Sequence, residues 1–426
     1  MNFRLSQFIY LAVISALPFQ TASADTEWLL PNFANRLSVE VKNPGNSPLK
    51  ALATLPVVKV QAVALNFPGR LALAVLVAGG QSGSAATIIA SQSDDLDGDG
   101  TPDEFEFPVD LPPHSQCRVD IYYSTTLEDN FPWPKRVSAK HSYGYNREVA
   151  ALESESAGYR TYGGFFLDFH GRKAGALGLW NDAAGYVPIR RDLGTGRDVL
   201  HIGATLGLGG VFLRRAGKIY QAPANAPTYA HKSSPEMVPH YRVVAQGPLR
   251  AIVEATLENW QIDSDRIRLQ ARYSIDAGER FVRCQVSAIP VQLVKDHEYE
   301  IGVGVRDLPA GSVSSDPGEL IVTGHQNAHD GDVGLAIYFD PTRYFPASAI
   351  QTADGSNRAV IEKVRLSPGT TPQLTYAAAG AWSGSGIANP GGLLKEERDK
   401  VEAHAEIGAL TFARTPHPEK VEAEPQ

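Results

Sequence analysis

Residues 241–290 read YRVVAQGPLRAIVEATLENWQIDSDRIRLQARYSIDAGERFVRCQVSAIP, and this stretch decides the fold. The segments 241–245, 251–257, 267–275 and 281–289 are runs of strand length, rich in Val, Ile, Leu, Tyr and Phe. Turn residues such as Asp276-Ala277-Gly278 separate them, so the chain folds back on itself as consecutive antiparallel strands. The same rhythm recurs outward, at 159–169, 198–204, 209–215, 299–305, 319–323 and 333–339, with turns at Ala310-Gly311 and Asp330-Gly331. So many regularly spaced strands need two face-to-face sheets to bury their apolar sides. Residues 147–413 are therefore predicted to form one large, mostly antiparallel all-β domain. Gly and Pro, 39 and 29 of them, punctuate short runs throughout, and amphipathic helical periodicity is scarce. The exception is GGLLKEERDKVEAH at 391–404, read as a helix, with 407–412 as a closing strand. No fixed-period repeat is present, which speaks against a propeller or solenoid.

Upstream, residues 25–129 read as a small β-sandwich with strands at 36–42, 57–65 and 116–124, joined to the large domain by a connector at 130–146 that contains Pro132 and Pro134. Residues 1–24 read as a secretory signal peptide. Arg4 supplies a positive start, 8–19 an apolar core, and Ala22-Ser23-Ala24 a cleavage site, which places the mature chain in a bacterial periplasm or outside the cell. No later stretch reaches the ~20 apolar residues of a membrane helix. The tail from 414 to 426 is charged and carries prolines, and reads as disordered. A net charge of −8 is the wrong sign for a nucleic-acid partner, which is bound through clustered Lys and Arg. Cys117 and Cys284 are the two cysteines; a bridge and two separate buried thiols are both open.

Within the small module lies DDLDGDGTPDEFEF at 94–107. Counted from Asp95, oxygen ligands fall at Asp95, Asp97, Asp99, Asp103 and Glu106 with Gly100 at the sharp turn, the spacing of an EF-hand loop. The flanks read as strands, so the expectation is a structural Ca2+ turn or, equally, an Asx-rich hairpin whose carboxylates satisfy local N–H groups.

The densest run of chemistry is 153–210, which gathers Arg160, Tyr162, His170, Arg172, Trp180, Tyr186, Arg190, Arg191, Arg197, Asp198 and His201 between glycine-broken apolar runs. Sugars are held by aromatic faces and polar groups, and Trp180, Tyr186, Trp260 and Trp382 are candidate stacking platforms. Arg160, Arg190, Arg191 and Arg242 are candidates to grip a carboxylate in bidentate fashion, which suggests an acidic sugar such as a uronate. The competing reading pairs these arginines with Glu153, Glu155, Asp192 and Asp198. On a uronate, β-elimination needs no cofactor. Arg190 would neutralise the carboxylate, with base and acid drawn from His201, His231, His240, Tyr162 and Tyr241. Hydrolysis would instead use two carboxylates across a cleft, for which Asp168, Asp198 and Glu254 are available. His325 and His329 form a weak metal pair without a third ligand.

Taken together, DDLDGDGTPDEFEF, ESESAGYRTY, DFHGRK, LGLW, GRDVLHIGATLGLGG and GAWSGSGI resemble an uncharacterised family of secreted bacterial proteins whose genes lie beside polysaccharide-degrading enzymes. The resemblance implies a galactose-mutarotase-like β-supersandwich and a role in carbohydrate metabolism. Where the family pattern has a Tyr-His pair after the tryptophan, this chain has Tyr186-Val187 and then Pro-Ile-Arg-Arg. The expectation is an enzyme acting on acidic oligosaccharides by lyase or dehydratase chemistry. The alternatives are a glycoside hydrolase, a sugar epimerase or mutarotase, and a non-catalytic glycan-binding protein.

Overall fold

The structure, a computed structural model, describes residues 28–70, 72–77, 86–125, 133–144, 147–173, 196–222, 238–294, 297–326, 331–352, 355–366 and 369–414. The segments read as signal peptide and as the tail beyond Arg414 lie outside these residues. Strands dominate, and the pairings described are antiparallel. The centre is an eight-stranded sheet in the order His240–Gln246, Arg250–Ile262, Asp265–Asp276, Phe281–Gln292, Gln373–Trp382, Val333–Phe339, Glu319–Gly324, Ser312–Ser314. The decisive stretch thus supplies four consecutive neighbours of this sheet. Asp265–Asp276 alternates buried and half-buried residues along most of its length, the period-two pattern of a strand with one face in the core.

Two five-stranded sheets accompany it. One runs Lys218–Gln221, Leu208–Arg215, His297–Arg306, Gly355–Leu366, Phe345–Thr352; the other runs Gly196–Asp198, Asp168–Arg172, Gly158–Tyr162, Arg147–Ser154, Val137–Gly144. The two are stitched by reciprocal backbone bonds between Leu167 and Leu208. A single apolar core takes in Tyr159, Phe169, Val211, Leu213, Val253, Tyr273, Val286, Val303, Leu335 and Trp382, residues drawn from all three sheets. This is the stacked-sheet arrangement that so many half-apolar strands require, and it is consistent with a mutarotase-like fold. Val333–Phe339 is buried at every position because its second face is covered by the helix Pro390–Glu402. Asn389 caps that helix, its side-chain oxygen accepting from Gly392 N at 2.9 Å. Leu394 seats in the space left by Gly334, where a Cβ would stand 2.8 Å from Leu394 Cδ1. Burial of that leucine contributes about 2 kcal/mol.

The N-terminal module packs a five-stranded sheet (Glu406–Arg414, Asn35–Asn43, Ser115–Tyr123, Ala72–Val77, Thr87–Ile89) on a three-stranded one (Leu49–Pro56, Glu104–Leu111, Gln92–Asp94). Three sequence readings change here. The closing strand pairs with Asn35–Asn43, so the chain's last strand completes the N-terminal sandwich instead of the large domain. The segment read as a strand from 57 opens as the helix Val57–Gln61: Pro56 lacks the N–H that would continue a ladder, and Val57 and Val60 bury one helical face. Residues 137–144, read as part of the connector, form an edge strand. Cys117 and Cys284 are both free and stand in different modules.

The modules meet through Gln92 and Arg250. Gln92 Oε1 accepts from Leu249 N and Arg250 N at 2.6 and 3.0 Å, and its Nε2 donates to Arg250 O at 2.9 Å. Arg250 in turn binds Glu104, Glu106, Asp276 and Thr54. Among the described residues no helix is long and apolar enough to cross a membrane.

Candidate functional site

The strand Asp168–Arg172 carries the chemistry, and its alternation explains how. Cross-strand register sets Arg160 opposite Asp168, and Gly158 and Asp198 opposite His170 on either side; Gly196 lies opposite Arg172. Because side chains alternate across a sheet, Arg160, Asp168, His170, Arg172 and Asp198 share one face. Tyr159 and Phe169 turn to the other, into the core. Gly171 also faces that way, and its bare backbone lies against the Trp382 ring: a Cβ there would stand 2.4 Å from Trp382 Cε3. Phe169 seats over Gly380 in the same manner, 2.4 Å from where a Cβ would be. The polar strand is therefore locked to the central sheet by two aromatic-on-glycine contacts.

The polar face is buried, with Arg160, Asp168, His170, Arg172 and Asp198 each exposing no more than 8% of their surface. Arg160 bonds Asp168 Oδ2, and the same guanidinium nitrogen lies 3.5 Å from Asp198 Oδ2. His170 Nε2 is 3.5 Å from Asp168 Oδ2. The two carboxyls are driven apart in ionisation. Burial penalises the Asp168 charge, but the Arg160 guanidinium and the His170 imidazole outweigh it and hold this carboxyl below its ordinary range. Burial pushes Asp198 up, and the neighbouring Asp168 charge adds to the effect. Asp168 Oδ1 accepts no hydrogen bond among the described residues.

Ligand atoms of Asp168, His170 and Asp198 lie within 4.8 Å of one another, so this set could coordinate a metal ion. In the arrangement described, however, the positive charge beside both carboxylates is already the Arg160 guanidinium. A dication would have to displace it against like-charge repulsion.

The residues singled out from sequence distribute widely. Trp180, Tyr186, Arg190, Arg191, His231 and His329 lie outside the described residues. Arg160 belongs to the buried cluster, in ion pairs with carboxylates. Tyr162 ends the strand Gly158–Tyr162, opposite Val149. His201 stands exposed just beyond Asp198, its backbone held by Gln326 and Arg306. His240 is exposed and bonds Glu148 at 3.0 Å, while the Tyr241 hydroxyl donates to Gly164 O in the core. Trp260 and Trp382 are core residues at 3% and 4% exposure. Arg242 bonds Glu254, which also holds Arg272. His325 is 3.7 Å from Asp332. The sequence reading gave His170 and Arg172 no role; the signal was the spacing of Asp168, His170 and Arg172, every second residue of one strand.

The Asp-rich loop is an Asx-rich turn. Asp95 accepts from Gly98 N and Gly100 N, Asp97 from Asp99 N, Asp99 from Thr101 N and Asp103 from Leu96 N, all between 2.6 and 3.0 Å. Carboxylate oxygens of Asp95, Asp97 and Asp99 lie within 4.8 Å of one another. Glu106, expected as the twelfth-position ligand, is instead fully buried in Glu104–Leu111 and paired with Arg250. Strand geometry carries its side chain to the module interface, away from the loop. The Leu96 carbonyl accepts from Arg242 and Arg272 at 2.8 and 3.2 Å, so the loop is docked on the large sheet.

The family model described as a domain of unknown function (DUF4861) matches residues 58–402. The chain belongs to this family. The match runs from the N-terminal module through the helix Pro390–Glu402, so both modules are part of the DUF4861 unit. No curated protein matches the sequence. Among solved structures, this DUF4861 protein is similar to an alpha-mannosidase from Enterococcus faecalis V583, with 8% identity and a TM-score of 0.40 over 91% of this chain and 47% of that one. A glycosyl hydrolase family 38 protein from Enterococcus faecalis gives 9% identity and a TM-score of 0.43 over 89% and 48%. A heparan sulfate lyase mutant from Pedobacter heparinus gives 8% and 0.28 over 61% and 37%. The chain thus spans about half the length or less of these three structures.

Proposed function

We propose that this DUF4861 protein is a carbohydrate-active enzyme that hydrolyses a glycosidic bond, with Asp198 as general acid and Asp168 as nucleophile. The observation that carries the reading is the pair of buried carboxyls on adjacent strands, with oxygens within 4.8 Å of one another and ionisations driven in opposite directions. Two carboxyls whose environments separate them in this way are the acid and base pattern of glycoside hydrolysis. Their closeness suits the roughly 5 Å separation of a retaining pair better than the wider gap that admits a water. In the first step Asp198 donates its proton to the departing glycosidic oxygen while an Asp168 oxygen bonds the anomeric carbon. In the second, water attacks that carbon, its proton passes to Asp198, and Asp168 leaves. Arg160 keeps Asp168 ionised for the attack, and His170 flanks it. The sugar substrate class is supported by the resemblance of the sequence blocks to proteins encoded beside polysaccharide-degrading enzymes.

β-Elimination has less support among the described residues. Arg160, a candidate carboxylate grip, is engaged with Asp168 and Asp198, and the Tyr241 hydroxyl is spent on Gly164. The test is incubation with a panel of neutral and uronate-containing oligosaccharides, followed by mass analysis and ultraviolet absorbance. Hydrolysis adds one water across the cut and leaves no new absorbance, and Asp168→Asn and Asp198→Asn each abolish it. A product that has lost water or gained a conjugated double bond refutes the reading in favour of a lyase or dehydratase. Anomeric exchange without cleavage points to a mutarotase, and an unchanged panel to a binding protein. We further propose that the Asp95 loop seats calcium weakly, since it offers three clustered carboxylates without the bidentate glutamate.

A further inference from the structure

The buried polar face holds a second cation that the hydrolytic scheme does not use. Arg172 exposes only 2% of its surface and bonds Glu153 through Nη1. Its Nε and Nη2 are buried with no hydrogen-bond partner among the described residues. Buried N–H donors on a charged group are costly to leave unmade, and such exceptions call for an explanation. Elsewhere the same molecule saturates a half-buried arginine: Arg250 sends Nε to Asp276, Nη1 to Glu104 and Nη2 to Thr54. Among the described residues Arg172 is the arginine with two buried side-chain donors left unmade.

Nε and Nη2 form the side of a guanidinium that presents two parallel N–H groups, the fork that matches two oxygens of one carboxylate or sulfate. Arg172 sits two residues from His170 and four from Asp168 on the same face of the strand Asp168–Arg172. At about 3.3 Å per residue, that sets its backbone roughly 7 Å beyond His170, a distance a single sugar ring with an acidic substituent can bridge. The cross-strand position beside it is Gly196, which contributes no side chain. Glu153 neutralises the guanidinium from its other end, so the pair can remain buried while the fork accepts a second anion.

We infer that Arg172 is the specificity residue of this site and takes, through Nε and Nη2, the oxyanion of an acidic sugar, a uronate carboxylate or a sugar sulfate. The assignment rests on the hydrolase reading for its sugar ligand but not for its chemistry. The test measures binding of the mature protein to glucuronate, galacturonate, their methyl esters, glucose 6-sulfate and glucose by calorimetry. At least one acid sugar binds at least tenfold tighter than its ester or than glucose; a preference for the uronates or for the sulfate identifies the anion. Arg172→Lys keeps a charge opposite Glu153 but loses the planar fork, and weakens the acid sugar about tenfold or more while sparing glucose. If that variant does not fold, the double variant Arg172→Met with Glu153→Gln, which leaves no lone buried charge, gives the same loss.

Equal affinity for acid and ester in the wild type, no binding across the panel, or full affinity in a folded Arg172→Lys overturns the assignment. The two readings fail separately. Cleavage of neutral glycans with no preference for acids sinks this assignment and leaves the hydrolase standing. Acid sugars bound through Arg172 but never cut leave this assignment standing and sink the hydrolase.

Discussion

Replacing Gly171 with alanine tests the link between the apolar core and the polar face. A Cβ at this position would lie 2.4, 2.5 and 2.8 Å from three ring atoms of Trp382, which itself exposes only 4% of its surface. The ring has no room to retreat, because Gly384 also faces it: a Cβ there would stand 2.1 Å from Trp382 Cζ2. Either the ring or the strand must shift, and overpacking of this kind costs about 1–3 kcal/mol. The upper end is expected for a ring pinned on two sides. Urea denaturation of Gly171→Ala measures the cost, and repeating it in a Trp382→Leu background measures the coupling. With the ring removed the added methyl meets no wall, so the penalty should fall by about 2–3 kcal/mol. Because His170 and Arg172 flank Gly171 in the chain, the shift also displaces them, and a misplacement of about 1 Å is enough for a hundredfold fall in turnover. A cost below about 0.5 kcal/mol, or the same cost in both backgrounds, refutes the reasoning.

Three further outcomes follow from the charges. Activity should need Asp168 ionised and Asp198 protonated. Turnover then falls on the acid side as Asp168 protonates and on the alkaline side as Asp198 ionises. Arg160→Met, which removes the charge that stabilises the Asp168 carboxylate, should move the acid limb upward, and an unmoved limb would contradict the assignment.

At the module interface, burial pushes Asp94 up to about 6, against its bond from Gln92 and the Arg250 charge. Burial, with Asp276 adding, pushes Glu279 up to about 7. A carboxyl raised in the folded state binds its proton on folding, so its stability contribution is full below the unfolded value and lost as pH rises through the folded one. Melting temperature should therefore drop between about pH 4 and about pH 7, and Asp94→Asn should flatten that drop; an identical slope in the variant counts against the cluster as its source. For the Asp-rich loop, millimolar calcium should raise the melting temperature of the wild type and not of Asp97→Asn with Asp99→Asn, whereas equal shifts in both would place the ion elsewhere.

Much of the architecture was legible in the sequence because strands announce themselves locally. The alternation of 267–275 and the turn at Asp276-Ala277-Gly278 identify consecutive antiparallel strands without knowledge of their neighbours. The helix at Pro390–Glu402 was readable for the same reason. The misreadings were long-range. Nothing near 407–412 says that this strand returns to pair with Asn35–Asn43. The spacing of Glu106 counted as a loop ligand, yet the strand it occupies turns it toward Arg250.

The site divides along the same line. Sequence by itself determined that residues 153–210 hold a concentration of Arg, His, Asp and aromatic groups, and that Asp168 and Asp198 were available as a pair. Only the tertiary structure decided that Arg160, Asp168, His170, Arg172 and Asp198 share one buried face, because cross-strand register places Asp198 beside His170 across a long excursion of chain. Only the tertiary structure decided the opposite ionisation of Asp168 and Asp198. Desolvation and a neighbouring guanidinium act over a few ångströms in space, and a linear spacing carries no record of which groups will be that close.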